Sequence, residues 1–313
     1  MRWGTYVAKD GAELRWGFLS APFPTTRCVL VGGFSECVEK YFETLVDLAK
    51  RGLAVWFLEW RGQGESTRPR SYPNRPRARD FERDAEDLAN FTEAIVGHGK
   101  AHVVIGHSMG ATIALLAMCR RPKLFDAAIL SSPMLALRTA SIPRSLARGV
   151  AAGAVALRLG HAVVPGSRTW PVDAALVPER SKTSSDAVRC RVQASWFAER
   201  PQLRIDGVTF AWLASALDLC RRLEDKEMFA AMATPVLMGS AGIDHFVDQD
   251  AHRHAATILP YCRHAIFADA KHDLFMEADP IRNRWLAEID HFLGDLRAKC
   301  QRTQEVAAAA AQR

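Results

Sequence analysis

No run of about 18 or more apolar residues occurs in this 313-residue chain, so no segment reads as a membrane-spanning helix. The nearest approach, Gly149 to Leu157, is closed by Arg158. The N-terminus, Met1-Arg2-Trp3-Gly4-Thr5, lacks the charged-then-apolar pattern of a secretory signal. The expected compartment is therefore the cytoplasm, with peripheral membrane contact as an option. The seven cysteines are odd in number and never form a CxxC pair, which excludes a disulfide framework and argues for reduced, buried thiols. Zinc-finger spacing, an RNA-binding aromatic motif and a Lys-rich arm are all missing, so no nucleic-acid partner is expected. Internal repeats are also lacking. The net charge of +6 is modest and suits either an anionic surface or simple solubility.

What is present is ample apolar material, 49% of residues, patterned for a core that needs no metal or disulfide staple. Short apolar runs alternate with amphipathic stretches, as in a mostly parallel sheet covered by helices. Strands are expected at Glu13–Leu19, Cys28–Val31, Ala54–Trp60, His102–Ile105, Ala127–Leu130, Pro235–Gly239 and Arg263–Ala268. Helices are expected at Val38–Arg51, Asp80–Val96, Met109–Cys119, Asp248–Ile258 and Ile281–Leu296. The alternation breaks from Leu135 to Ala233, where helical patterns occur without a convincing strand. That length reads as an inserted helical unit rather than a loop. Residues 1–134 and 234–300 then form the core, 135–233 the insertion, and 301–313 a frayed, Ala-rich tail.

The segment Gly106-His107-Ser108-Met109-Gly110 is a weak pattern alone and a specific one in context. Val103-Val104-Ile105 runs straight into it as a strand, and Ala111 to Leu116 runs out as a helix. A sharp strand-to-helix turn would lift the Ser108 hydroxyl above the sheet edge, with Gly106 and Gly110 supplying room. The Met109 amide would sit at the helix N-terminus, where an oxyanion forms. A serine near neutral pH needs a base, and this fold orders Ser, acid and His along the chain. Among ten histidines His272 fits, in the short loop between the last strand and the last helix. His264 begins that strand at the wrong end, and His252 and His254 fall on a helix and read as surface residues. His107 is too close in sequence to turn back onto Ser108. The acid should follow the preceding strand, where Asp244 lies; Asp248 is the rival but reads as a helix N-cap. Gly32-Gly33-Phe34, after Cys28–Val31, would bring in the Phe34 amide as second oxyanion donor.

The combination of Gly33-Phe34-Ser35-Glu36, Glu39 to Glu43, Glu59-Trp60-Arg61-Gly62-Gln63-Gly64-Glu65-Ser66 and the Ser108 pentapeptide resembles the lysophospholipase L2-like branch of the α/β hydrolases. That branch is of the serine aminopeptidase S33 type, with monoacylglycerol lipases as close relatives. The resemblance covers about two-thirds of the chain. It implies an α/β-hydrolase fold with an eight-stranded, mostly parallel sheet and an inserted helical cap. It further implies hydrolysis of esters of single-chain lipids without a cofactor or metal, through Ser108, Asp244 and His272, with Phe34 and Met109 as oxyanion donors. One departure stands out: the lipases begin the oxyanion loop with His-Gly, and here it reads Gly32-Gly33. Alternatives on the same scaffold are a monoacylglycerol lipase, a small-ester carboxylesterase, an acyltransferase, or a hydrolase-like binding protein that does not turn over.

Within the insertion, Ile142 to Val164 is apolar with Arg144, Arg148 and Arg158 at helical intervals. Such a helix either packs on the core, lines an acyl tunnel or rests on a bilayer with its arginines at the headgroups. Trp196, Phe197, Phe210 and Trp212 read as core. The loop Arg68 to Arg79 holds five arginines and three prolines and reads as a stiff solvated loop, with phosphate binding as the rival. Arg61 is expected to brace its own turn.

Overall fold

In a computed structural model, which describes residues 1–76, 80–97, 102–139, 142–167 and 181–311 (299–311 by their backbone alone), the chain builds one eight-stranded sheet. The strands are β1 (Arg2–Val7), β2 (Glu13–Ser20), β3 (Thr26–Val31), β4 (Leu53–Leu58), β5 (His102–His107), β6 (Ala127–Ser131), β7 (Val236–Ala241) and β8 (Cys262–Phe267), in the order β1-β2-β4-β3-β5-β6-β7-β8. β2 runs antiparallel to both β1 and β4, and β3 through β8 are all parallel. The central strands are buried on both faces, which is why Val103-Val104-Ile105 reads as an unbroken β-branched run. β1 lies outside the expected strands. It is an edge strand with alternating exposure, so it carries no apolar run to announce it.

Helices cover both faces: α1 (Phe42–Lys50), α2 (Phe81–Phe91), α3 (Met109–Arg120), then α4 (Arg144–Ala156), α5 (Arg189–Glu199) and α6 (Phe210–Arg222) within the insertion, then α7 (Gln249–Ile258) and α8 (Asp279–Ala311). One buried cluster joins the sheet to α2, α3, α6 and α7, the other joins it to α1 and α8. α8 continues to Ala311, past the expected end at Leu296, so residues 301–311 of the expected frayed tail are helical. Alanine is the strongest helix former, and an Ala-rich end needs no apolar face to extend a helix already nucleated.

The chain order fixes where a site can form. β4 lies on one side of β3 and β5 on the other, so the connections leaving β3 and β5 diverge and open a crevice above their carboxyl ends. Val31 of β3 pairs with Gly106 of β5, which sets the Gly32-Gly33-Phe34 loop beside Ser108. Backbone packing there excludes side chains. A Cβ on Gly110 would lie 2.4 Å from the Gly32 carbonyl oxygen, and one on Gly106 would lie 2.5 Å from the Ala111 Cα.

These contacts predict opposite outcomes for one substitution type. Gly110→Ala should cost about 2 kcal/mol or more, because backbone must move. Gly149→Ala in α4, with nothing within 4 Å, should stabilise by about 0.5–1 kcal/mol. Urea denaturation of the two variants measures both signs.

Candidate active site

Ser108 sits at φ 50° and ψ −117°, a left-handed conformation that non-glycine residues rarely adopt. Its amide donates to the Ser131 carbonyl of β6 at 2.9 Å, and its carbonyl accepts from the Met134 amide at 3.1 Å. The strained turn is thus clamped to the end of β6 and the loop that follows it.

The His272 and Asp244 loops converge on it. The Ser108 Oγ is 2.9 Å from His272 Nε2, and His272 Nδ1 is 2.6 Å from Asp244 Oδ2. The other Asp244 oxygen accepts from the Phe246 and Val247 amides at 2.8 and 3.0 Å. Burial pushes the Asp244 carboxyl up, but the His272 bond and charge, together with those two amides, hold it below the usual range. An ionised, oriented carboxylate fixes the His272 tautomer that carries the proton on Nδ1, leaving Nε2 free to accept from Ser108. Asp248 caps α7, accepting from the Asp250 amide at 3.1 Å, and takes no part in this chain of bonds.

The Phe34 and Met109 amides have no hydrogen-bond partner among the described residues. Gly33 passes so close to Ser108 that a Cβ would lie 3.1 Å from the serine Cβ. The Phe34 ring packs on Trp212 of α6 at 4.7 Å, and Phe246 lies 5.0 Å from the His272 ring. Phe197 and Trp212 are buried, as expected for core.

Behind these residues lies a polar cluster whose members the sequence offers only singly, in separate segments. Glu36 accepts from the Gly33 amide and from the Tyr41 hydroxyl and pairs with Lys40, which also lies 2.5 Å from Asp273. His107 stands 3.7 Å from Glu36 and 3.8 Å from Asp273, with its ring 4.9 Å from that of His272. Burial pushes both carboxyls up, yet Lys40 and His107 hold them below the carboxylate range, and burial pushes His107 down. Glu36, His107 and Asp273 have the donor types of a metal site, but the Lys40 ammonium already occupies the position between the two carboxylates.

Two expectations need correction. His252, expected at the surface, is fully buried: its Nε2 donates to the Pro133 carbonyl at 2.6 Å, and Nδ1 accepts from the Ser240 hydroxyl at 2.8 Å. The helix periodicity of α7 placed it correctly along the chain but could not report a polar partner across the sheet. Arg61, expected to brace its own turn, reaches α2 and the β1–β2 turn, donating to Asp87 at 2.8 Å and to Asp10 at 2.6 Å. In the Arg68 to Arg79 loop, Arg68 is spent on the Gly64, Pro73 and Arg204 carbonyls, and residues 77–79 lie outside the described set.

Comparison with known proteins places this geometry. A family model described as "Serine aminopeptidase, S33" matches residues 23–279. Lysophospholipase L2 of Escherichia coli strain K12 is 27% identical over 302 residues, covering 92% of this chain and 86% of that protein. A probable lysophospholipase L2 of Haemophilus influenzae is 24% identical, covering 91% and 90%. Among solved structures, a soluble variant of monoglyceride lipase from Saccharomyces cerevisiae, in complex with a substrate analog, superposes with a TM-score of 0.73 at 18% identity, covering 94% and 96%.

His252 yields a test of the site's foundation. Burial lowers its pKa to about 4, against an ordinary value of 6.5, the Pro133 carbonyl opposing. Only the unfolded chain takes up this proton as pH falls from 6.5 toward 4, so stability is full above 6.5 and declines across that window. The decline should reach about 3 kcal/mol. Urea midpoints at pH 7 and 5 should differ less for His252→Gln than for the wild type.

Proposed function

Because this chain belongs to the serine aminopeptidase S33 family and is a carboxylic ester hydrolase, we propose that it cleaves the acyl ester of lysophospholipids through Ser108, His272 and Asp244. The observation that carries the assignment is the unbroken hydrogen-bond chain from the Ser108 hydroxyl through His272 to Asp244 at the sheet's crevice. Support for the substrate class comes from the lysophospholipase names of relatives that align along nine-tenths of the chain.

In the proposed reaction the Ser108 Oγ attacks the ester carbonyl carbon while His272 Nε2 takes its proton. Negative charge grows on the carbonyl oxygen, where the Phe34 and Met109 amides stabilise it. The tetrahedral intermediate collapses, the glycerol oxygen leaves with the proton from His272, and the acyl group stays on Ser108. Water, deprotonated by His272, then releases the fatty acid. Phe34, Trp212 and Phe246 give the crevice an apolar wall for an acyl chain.

Residues 135–233 act as a cap, and α4 is its membrane-facing element. The helix is amphipathic in an inverted sense: Ala151 is its one buried residue, while Leu146 and Val150 are 57% and 55% exposed. Ile142 before it and Leu157 after it continue the same stripe, at 52% and 74%. No acidic residue occurs between Asp126 and Asp173, whereas Arg138, Arg144, Arg148, Arg158 and Arg168 do. An apolar stripe flanked by cations alone fits an anionic bilayer surface.

A panel of lysophospholipids and monoacylglycerols checks the substrate, with lysophospholipids expected to give the higher kcat/KM. Ser108→Ala should abolish turnover, and Asp244→Asn should lower kcat by roughly 10³–10⁴. Preference for monoacylglycerols would move the assignment to the lipases. In sedimentation with phosphatidylglycerol vesicles, Leu146→Ser/Val150→Ser should weaken binding at least ~10-fold while leaving hydrolysis of a soluble ester unchanged. Equal binding of both proteins would refute the α4 surface.

A further inference from the structure

The turn after β4 holds a buried side chain that the mechanism above does not use. Gln63, 1% exposed, reaches from the Arg61-Gly62-Gln63-Gly64 turn across to the loop after β3. Its Nε2 donates to the Gly33 carbonyl at 3.0 Å, and its Oε1 accepts from the Ser35 amide at 2.8 Å. These are the two peptide groups that flank Phe34. We propose that Gln63 is the positioning residue of the oxyanion site, a two-point clamp that aims the Phe34 N–H at the reacting oxygen. This rests on the assignment of Phe34 as oxyanion donor.

The geometry follows from peptide planarity. The Gly33 carbonyl and the Phe34 N–H belong to one planar trans unit and point in opposite directions. Whatever holds the carbonyl therefore sets the direction of the N–H. Gln63 holds it from the turn after β4. The Gly33 amide, one peptide earlier, is tied to Glu36, so rotation on that side is also blocked. On the far side Ser35 sits at φ 61°, a conformation costly for a serine, and the Gln63 Oε1 bond to its amide helps retain it. Orientation of the Gln63 amide is itself determined, since the reverse placement would set oxygen against a carbonyl and nitrogen against an N–H.

The clamp is mounted rigidly. Gly62 at φ 74° and Gly64 at φ 52° form the turn, closed by bonds from the Gly62 amide to Thr67 (2.9 Å) and from the Gln63 amide to Trp60 (3.1 Å). Trp60 adds a third hold on the same loop, its indole donating to the Gly32 carbonyl at 2.8 Å. Gln63 touches no reacting atom. It acts by removing the reorientation that a free Phe34 peptide would have to undergo as charge develops.

The test uses the full chain with a soluble p-nitrophenyl ester, an acyl trifluoromethyl ketone, which forms a tetrahedral oxyanion on a serine, and a non-hydrolysable ether analogue of the ester. Gln63→Met should lower kcat ~10- to 100-fold with KM changed by no more than about twofold. Affinity for the ketone should fall by the same factor as kcat/KM, and affinity for the ether, which makes no oxyanion, should hold. Gln63→Glu keeps the Ser35 contact and loses the donor to Gly33. It should show the same split, and it serves if the Met variant does not fold. Wild-type kcat in a folded variant, or equal losses toward ketone and ether, overturns the clamp. Turnover that persists in Ser108→Ala would instead overturn the assignment of the site itself, leaving the two failures distinguishable.

Discussion

Where the first turn of α3 meets the end of β3 there is no room for a side chain, and every other feature of the site inherits that constraint. Gly110 lies against the Val31 and Gly32 carbonyls, and Gly106 against the backbone of Ala111. Only with both glycines can β5 turn into α3 within one residue, and that residue, Ser108, is then forced into its left-handed conformation. The strain is held by Ser131 at the end of β6 and by Met134 in the loop after it, and that loop in turn is tied to β7 through His252, which bonds Pro133 and Ser240. A hydroxyl lifted above the sheet is the result, facing the two loops that carry His272 and Asp244.

Much of this was legible in the residues, and the reason differs from feature to feature. The elbow was legible because glycine, serine and flanking strand and helix periodicities coincide over a dozen residues. Asp244 was separable from Asp248 because a capping aspartate announces itself by the helix that follows it, and Asp248 does accept from the Asp250 amide. Polar residues whose partners lie far along the chain were not legible. Glu36, Lys40 and Asp273 look like solvated charges until the fold brings β3, α1 and the His272 loop together. His252, Arg61 and Gln63 share that property. Each acts through a contact more than ten residues away, and local periodicity carries no information about it. β1 failed for the opposite reason, since an edge strand that is half exposed has little apolar signal to read.

The insertion is attached unevenly, and this bears on how a substrate would enter. Its later part is bonded to the core by polar contacts. The Asp273 amide donates to the Thr183 carbonyl, Lys271 to those of Ser181 and Ser184, Arg189 to Glu43, and Gln193 to the Ser35 carbonyl. These bonds fall on the His272 loop, on the loop of Phe34 and on the first turn of α1. Among the described residues α4 has no such tie beyond Arg144 to Asp248, and it presents small residues inward and large apolar ones outward. Arg138 adds bonds to the Phe246 and Val247 carbonyls beside Asp244, so the start and the middle of the insertion both hold loops of the site, while α4 offers an apolar surface.

The proposed mechanism requires Ser108 to carry the acyl group during turnover. Acid quench of the protein during steady-state hydrolysis of a slow ester, followed by peptide mass mapping, measures this directly. The expected result is the mass of one acyl group on the peptide containing Ser108, accumulating no further than one per chain and disappearing when substrate is exhausted. An acyl group on another residue, or undiminished hydrolysis by Ser108→Ala, would contradict it.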